Sequence, residues 1–230
     1  MSELELCRFA YEGKFEKLKE KIEKDKDCIS SKDGSGRVPL HWAASGSQKN
    51  IVNYLLQQGS PVDEPDDSNW TPLMIGSSVG CLDIVEVLIE RGANVNAINQ
   101  TGQTALHYAA SKNREQIVRV LLSHHANINA CDHMGSTPLH RASSKGNLKV
   151  LRIFLQEFSN QLNLSPCDCV GNTPLHLACE EERLEAAKML IEAGANTDTL
   201  NKEKISAFDM APKQLRAQLQ KMADEATPQP

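Results

Sequence analysis

Large aromatic side chains are scarce in this chain: two Trp, three Tyr and five Phe amount to 4% of its 230 residues. A conventional single core organised around big aromatic anchors is therefore not expected. A basic surplus is also missing. The 25 Lys and Arg are outnumbered by 30 Asp and Glu, for a net charge of −5, which argues against nucleic acid as the main partner because phosphate binding needs a basic patch or stripe. No uninterrupted apolar run approaches the length of a membrane-spanning helix, so no membrane association is expected. Cysteine is present but in an odd set of seven, scattered at 7, 28, 81, 131, 167, 169 and 179, unlike the even framework of a small disulfide-bonded secreted domain. The opening stretch MSELELCRFAYEGK is charged within its first five residues and has no apolar core of leader length. These features set the expectation of a reduced, soluble, intracellular protein.

What the chain does have is a period. VPLH begins at Val38, TPLM at Thr71, TALH at Thr104, TPLH at Thr137 and TPLH again at Thr173, in steps of 33, 33, 33 and 36 residues. Such a period signals a repeat architecture, in which one supersecondary unit recurs and each copy completes its neighbour's core. The motif Thr is a helix N-cap, and the Pro after it occupies the first helical position, where a missing N–H costs nothing. Small pairs follow, such as Ala43-Ala44, Ala109-Ala110 and Ala178-Cys179, and allow close helix stacking. Apolar pairs at helical spacing come next, for example Ile51-Val52 with Leu55-Leu56 and Ile117-Val118 with Leu121-Leu122. A Gly-containing stop and an Asp/Gly turn such as DHMGS (132–136) close the unit.

The spelling G-x-T-P-L-H-x-A-(A/C) resembles the ankyrin repeat. The fold this implies is an all-α repeat solenoid of seven stacked ankyrin repeats, each a helix-turn-helix plus a β-turn finger. The repeats fall at approximately 4–36, 37–69, 70–102, 103–135, 136–171, 172–204 and 205–222, within one domain spanning 4–222, with a disordered tail at 223–230. Three features stand out against the period. The first unit is Lys/Glu-rich, as a terminal cap should be; Pro212 shortens the first helix of the last unit; and LQEFSNQLNLSPCD carries three extra residues that lengthen either a second helix or the loop after it.

Residues that look chemical have structural explanations. His41, His107, His140 and His176 recur at one motif position, which suits a hydrogen bond to the neighbouring loop better than catalysis, since no nucleophile recurs beside them. Met74 stands where this His is otherwise found. Cys167 and Cys169 lack the second ligand pair of a zinc site. No enzyme, cofactor or metal is expected. Leu177, Cys179 and Glu181 spell L-x-C-x-E, a linear motif for a tumour-suppressor pocket protein, yet the repeat register puts Leu177 and Cys179 on the core side of a helix and Glu180 and Glu181 on the open side.

In the ankyrin architecture, finger tips and first helices line a concave partner-binding face. The slots the fold leaves undetermined hold Arg37, Asp67, Trp70, Lys112, Arg114, Met134, Lys145, Glu180 and Glu181, with Arg141 at a position where repeats usually carry a small or apolar residue. Trp70 reads as an exposed aromatic anchor. The order acidic, basic, acidic along this set suits a protein partner of complementary charge. The strings LHYAASKNR, LHRASSKGNLK and GNTPLHLACEEER are similar to the gankyrin family (26S proteasome non-ATPase regulatory subunit 10 proteins), whose departures here are the three-residue insertion, Met74 and the tail. That resemblance implies a non-enzymatic chaperone of proteasome regulatory-particle assembly that holds the C-terminal domain of a base ATPase subunit. Arg37, Asp67 and Lys112 match family positions that make charged contacts with it. The resemblance also implies the retinoblastoma protein, cyclin-dependent kinase 4 and a p53-directed E3 ligase as further partners. The alternative is an ankyrin adaptor or inhibitor acting on a signalling kinase or transcription regulator.

Overall fold

A computed structural model describes residues 2–226, with side chains described for 5–221. Among the described residues the structure is helical, with short irregular connections and a single isolated bridge between Leu200 and Ser206. The helices come in consecutive pairs: α1 (Ser2–Glu12) and α2 (Phe15–Lys24), α3 (Pro39–Ser45) and α4 (Lys49–Gln57), α5 (Pro72–Val79) and α6 (Leu82–Glu90), α7 (Ala105–Ser111) and α8 (Glu115–Ser123). They continue as α9 (Pro138–Lys145) and α10 (Leu148–Arg152), α11 (Pro174–Glu180) and α12 (Leu184–Glu192), α13 (Ala207–Met210) and α14 (Lys213–Ala226). Helix starts follow the expected chemistry. The hydroxyls of Thr71, Thr137 and Thr173 accept from the backbone N–H three residues on, and Pro72, Pro138 and Pro174 fill the first helical position.

The chain divides into two compact units, one of Met1–Leu106 with Ser123–Ala126 and one of His107–Leu122 with Asn127–Pro230. In the first, Leu18, Leu40, Ile51, Leu55, Leu73, Ile84 and Leu88 are fully buried. In the second, Ile117, Leu121, Leu139, Phe154, Leu175 and Leu190 play the same part. Ala43, Ala44, Ala109, Ala110, Ala178 and Cys179 are buried as well, in keeping with their role as small spacers. Leucine and isoleucine repeated at one register thus supply what the missing aromatics do not.

The extra residues after α10 form neither a plain helix extension nor an open loop. The helix widens into a π-helical turn at Ile153–Glu157, followed by a 3₁₀ turn at Ser159–Gln161. Widening by one residue per turn lets Ile153 and Phe154 stay buried while the surplus chain is carried outward. Glu157 then takes a bidentate ion pair from Arg119 on α8 at 2.8–2.9 Å, and Asn129 donates to the Gln161 carbonyl while accepting from the Asn163 N–H. Pro212 does cut the last first helix to the short α13, but α14 runs through Ala226, past the boundary expected at 222. Helix-forming residues such as Leu, Arg, Ala, Gln and Lys fill that segment and carry it on. Of the expected disordered tail, 227–230 lie outside the described residues.

Candidate partner-binding surface

Six loops share one construction. The side-chain Oδ1 of Asp33, Asp66, Asn99, Asp132, Asp168 and Asn201 accepts from the backbone N–H groups two and four residues on, at 2.8–3.0 Å. Short acceptors at these positions close the turn that backbone groups alone would leave open. Adjacent loops within a unit are joined by main-chain bonds: Asp67 N–H to the Ser35 carbonyl, Gln100 to Ser68, Cys169 to Met134 and Lys202 to Val170, at 2.8–3.0 Å. The approach is close enough that a Cβ on Gly171 would lie 2.9 Å from the Lys202 nitrogen, which is why that loop needs glycine.

The recurrent histidines bind the loops to the helices. His41 Nε2 reaches the Trp70 carbonyl, His107 that of Ser136, His140 that of Asn172 and His176 that of Ile205, at 3.0–3.2 Å. Nδ1 of His41, His140 and His176 accepts from the backbone N–H of Val38, Thr137 and Thr173, so Nε2 carries the proton and the ring is neutral. Burial holds all four imidazoles below the ordinary histidine value.

Several residues expected to face a partner are already engaged. Arg37 Nε donates to Asp66 Oδ2 at 2.9 Å and its guanidinium lies 5.5 Å from the centre of the Trp42 ring. Burial pushes the Asp66 carboxyl up, but the Arg37 hydrogen bond and the N–H groups of Trp70 and Ser68 outweigh it and hold the group below the usual carboxylate range. Arg141 pairs with Asp132, whose carboxyl is lowered in the same way against its own burial, and so ties its helix to the loop before it. Trp70 is half-buried rather than an exposed anchor, and its backbone is fixed in the loop: the carbonyl accepts from both Asp66 N–H and His41, and the N–H donates to Asp66. Leu177 is half-buried and not part of the deep core, whereas Cys179 is fully buried and its thiol is pushed up to about 12 by burial. The L-x-C-x-E letters therefore lie on α11, with their sulfur sealed inside.

The remaining expected residues do lie on open surface. In the first unit Asp67 is exposed at the loop next to Arg37. In the second unit Lys112, Arg114 and Lys145 are exposed, Met134 is 59% exposed at a loop tip, and Glu180 and Glu181 are exposed at the end of α11. Arg183, not anticipated from the sequence, lies 3.7 Å from Glu181 and donates to the Ser144 carbonyl. Its signal was positional. Gln48 and Asn147 also directly precede second helices, and both donate back to carbonyls at the end of an earlier first helix. Among the described residues no helix is long and apolar enough to cross a membrane, and no group of three or more His, Cys, Asp or Glu is placed to hold a metal ion.

A family model described as ankyrin repeats matches the chain in three copies, over residues 6–99, 92–165 and 129–201. The chain belongs to the ankyrin-repeat family. Within that family, this ankyrin-repeat chain is similar to the human 26S proteasome non-ATPase regulatory subunit 10, with 46% identity over 67 residues, 29% of this chain and 30% of the relative. The mouse protein of the same name is 46% identical over 67 residues, 29% of each chain. A Saccharomyces cerevisiae protein named probable 26S proteasome regulatory subunit p28 is 34% identical over 70 residues, 29% of this chain and 31% of the relative. The matched stretch thus spans about 30% of the length of the curated relatives. These names associate the ankyrin-repeat relatives with the proteasome.

Proposed function

We propose that the chain is a proteasome regulatory-particle assembly chaperone whose seven helix pairs are seven ankyrin repeats, and that it holds the C-terminal domain of a base ATPase subunit. In this reading it is non-enzymatic, monomeric and present in the cytoplasm and nucleus. The observation that carries the proposal is the 46% identity over 67 residues to a proteasome regulatory subunit, taken together with charged side chains exposed on the surface. Arg37 and Arg141 are tied to Asp66 and Asp132, so their part is to shape the loops. The docking charge falls to Asp67, Lys112, Arg114, Lys145, Glu180 and Glu181, all exposed. Exposed charges of this kind set register and association rate more than raw affinity.

The test is a pull-down of base ATPase subunits by an Asp67→Lys/Lys112→Glu double variant. Both side chains are exposed, so far-ultraviolet circular dichroism and melting temperature should stay as in the parent. Capture should weaken at least about tenfold, and more steeply at low salt. Undiminished recovery of proteasome base subunits would remove the proposed docking charges. Co-purification of a kinase or transcription regulator without proteasome subunits would favour the adaptor reading instead. The implied contacts with the retinoblastoma protein, cyclin-dependent kinase 4 and a p53-directed E3 ligase are read out by the same purification.

A further inference from the structure

Helix α5 and the residue leading into α6 depart from the repeat's polar and packing scheme at three points. Met74 fills the slot of His41, His140 and His176 and is just as buried, but a thioether has no N–H to donate to the next loop and no nitrogen lone pair for the Thr71 N–H. Gly76 stands where the other first helices carry Ala43, Ala109, Ala142 and Ala178. A Cβ there would meet only Ile84 Cγ2 at 3.5 Å and Val85 Cγ2 at 3.6 Å, ordinary contact distances, so nothing in the packing demands glycine. Cys81 precedes α6 at the position from which Gln48 and Asn147 donate to earlier helix ends, and it offers only a thiol to the Ser47 hydroxyl. Each of the three changes takes stabilisation from the same pair of helices, through lost hydrogen bonds or backbone entropy.

We propose that α5–α6 is a built-in opening point: it detaches locally, ahead of the rest of its unit, while α3–α4 stay folded. The loop bearing Asp67 is held independently, through His41 to the Trp70 carbonyl and through Asp67 N–H to Ser35, so local opening leaves that loop anchored to α3. Local opening of this kind is drawn from the low-stability end of a fold and is read by amide hydrogen exchange. The proposal does not depend on which partner the protein takes.

The experiment is native-state hydrogen exchange on the full chain. Hydrogen-bonded amides of α5 and α6 should exchange at least about tenfold faster than those of α3 and α4. Met74→His should slow α5 exchange about tenfold and Gly76→Ala about fivefold, with α1–α4 unchanged. His41→Met, the converse change, should lower protection in α3 toward that of α5, and it keeps the proposal testable if Met74→His folds poorly. Equal protection of the two pairs in the parent protein overturns it. So does a folded Gly76→Ala variant with unaltered exchange in α5, or a His41→Met variant whose α3 amides stay as slow as before.

Discussion

Lowering the pH from 7.5 to 5.5 is expected to cost up to about 5 kcal/mol of folding stability. The source is the set of four imidazoles His41, His107, His140 and His176, each buried and each donating through Nε2 to a neighbouring loop carbonyl. In three of them Nδ1 already accepts a backbone N–H, so a second proton would turn an acceptor into a donor facing a donor. The folded-state affinity for that proton is depressed in all four, mainly by burial. The unfolded chain has no such restraint and takes protons near the ordinary value of 6.5. Below that value the unfolded state binds more protons than the folded one, and stability must fall as pH falls. Each group can remove at most about 1.4 kcal/mol per pH unit below its unfolded value, and only one unit of this interval lies below it, so the ceiling for four is about 5 kcal/mol.

Asp33, Asp66 and Asp132 have folded values lowered below the usual carboxylate range, so the stability they add is present above about pH 4 and is lost only below it. The two processes therefore occupy separate windows. Urea titrations at intervals across pH 7.5 to 5.5 measure the effect, and a flat profile would contradict the neutral-histidine ladder. His140→Gln gives a sharper check. It lowers stability at every pH through lost bonds, but it should also reduce the slope against pH by about a quarter, which a purely structural role would not do.

The same histidines show what was legible in the sequence. A residue recurring at a fixed step must sit in equivalent surroundings, so the periodic Thr, Pro, His and Ala-Ala letters lead directly to paired helices, their caps and the loop ties. Features outside the period were harder to read. Of the three residues inserted after α10, the π-helical turn takes up about one while Ile153 and Phe154 stay buried, and the rest pass into the 3₁₀ turn at Ser159–Gln161 and the chain after it, a division that letters alone do not express. Trp70 and Arg37 occupy slots that face outward in a generic repeat, yet both are half-buried, and Asp66 holds the Arg37 guanidinium. Which charge is free to meet a partner depends on such local pairings. Asp67, Lys112 and Lys145 remain exposed, whereas Arg141 has found a carboxylate nine residues earlier, in the loop that precedes its helix.

That pairing supports the second large prediction. Asp132→Ala should destabilise the protein by about 3 kcal/mol in chemical denaturation, whereas Asp132→Asn should cost only about 1 kcal/mol. Asp132 Oδ1 accepts from Met134 N–H and Ser136 N–H, both at 2.9 Å, while Oδ2 takes Arg141. Alanine abandons the buried Ser136 amide and opens the turn, at the cost of an unsatisfied donor. Asparagine keeps the Oδ1 acceptor, and the chain itself shows that an amide suffices, since Asn99 and Asn201 close their loops with the same pair of bonds. What asparagine loses is the charge partner of Arg141. That side chain is 36% exposed and recovers water, which keeps the loss small. Arg141→Leu in the Asp132→Asn background should then add little further cost, because Leu177 and Met210 already hold the equivalent place in later repeats and Arg141 Nε is buried without a partner. Equal costs for Asp132→Ala and Asp132→Asn would mean that the ion pair, not the turn, is what Asp132 supplies. A full-sized Arg141→Leu penalty that persists after Asp132→Asn would show that the guanidinium has work beyond this loop, and would return Arg141 to the surface that meets the partner.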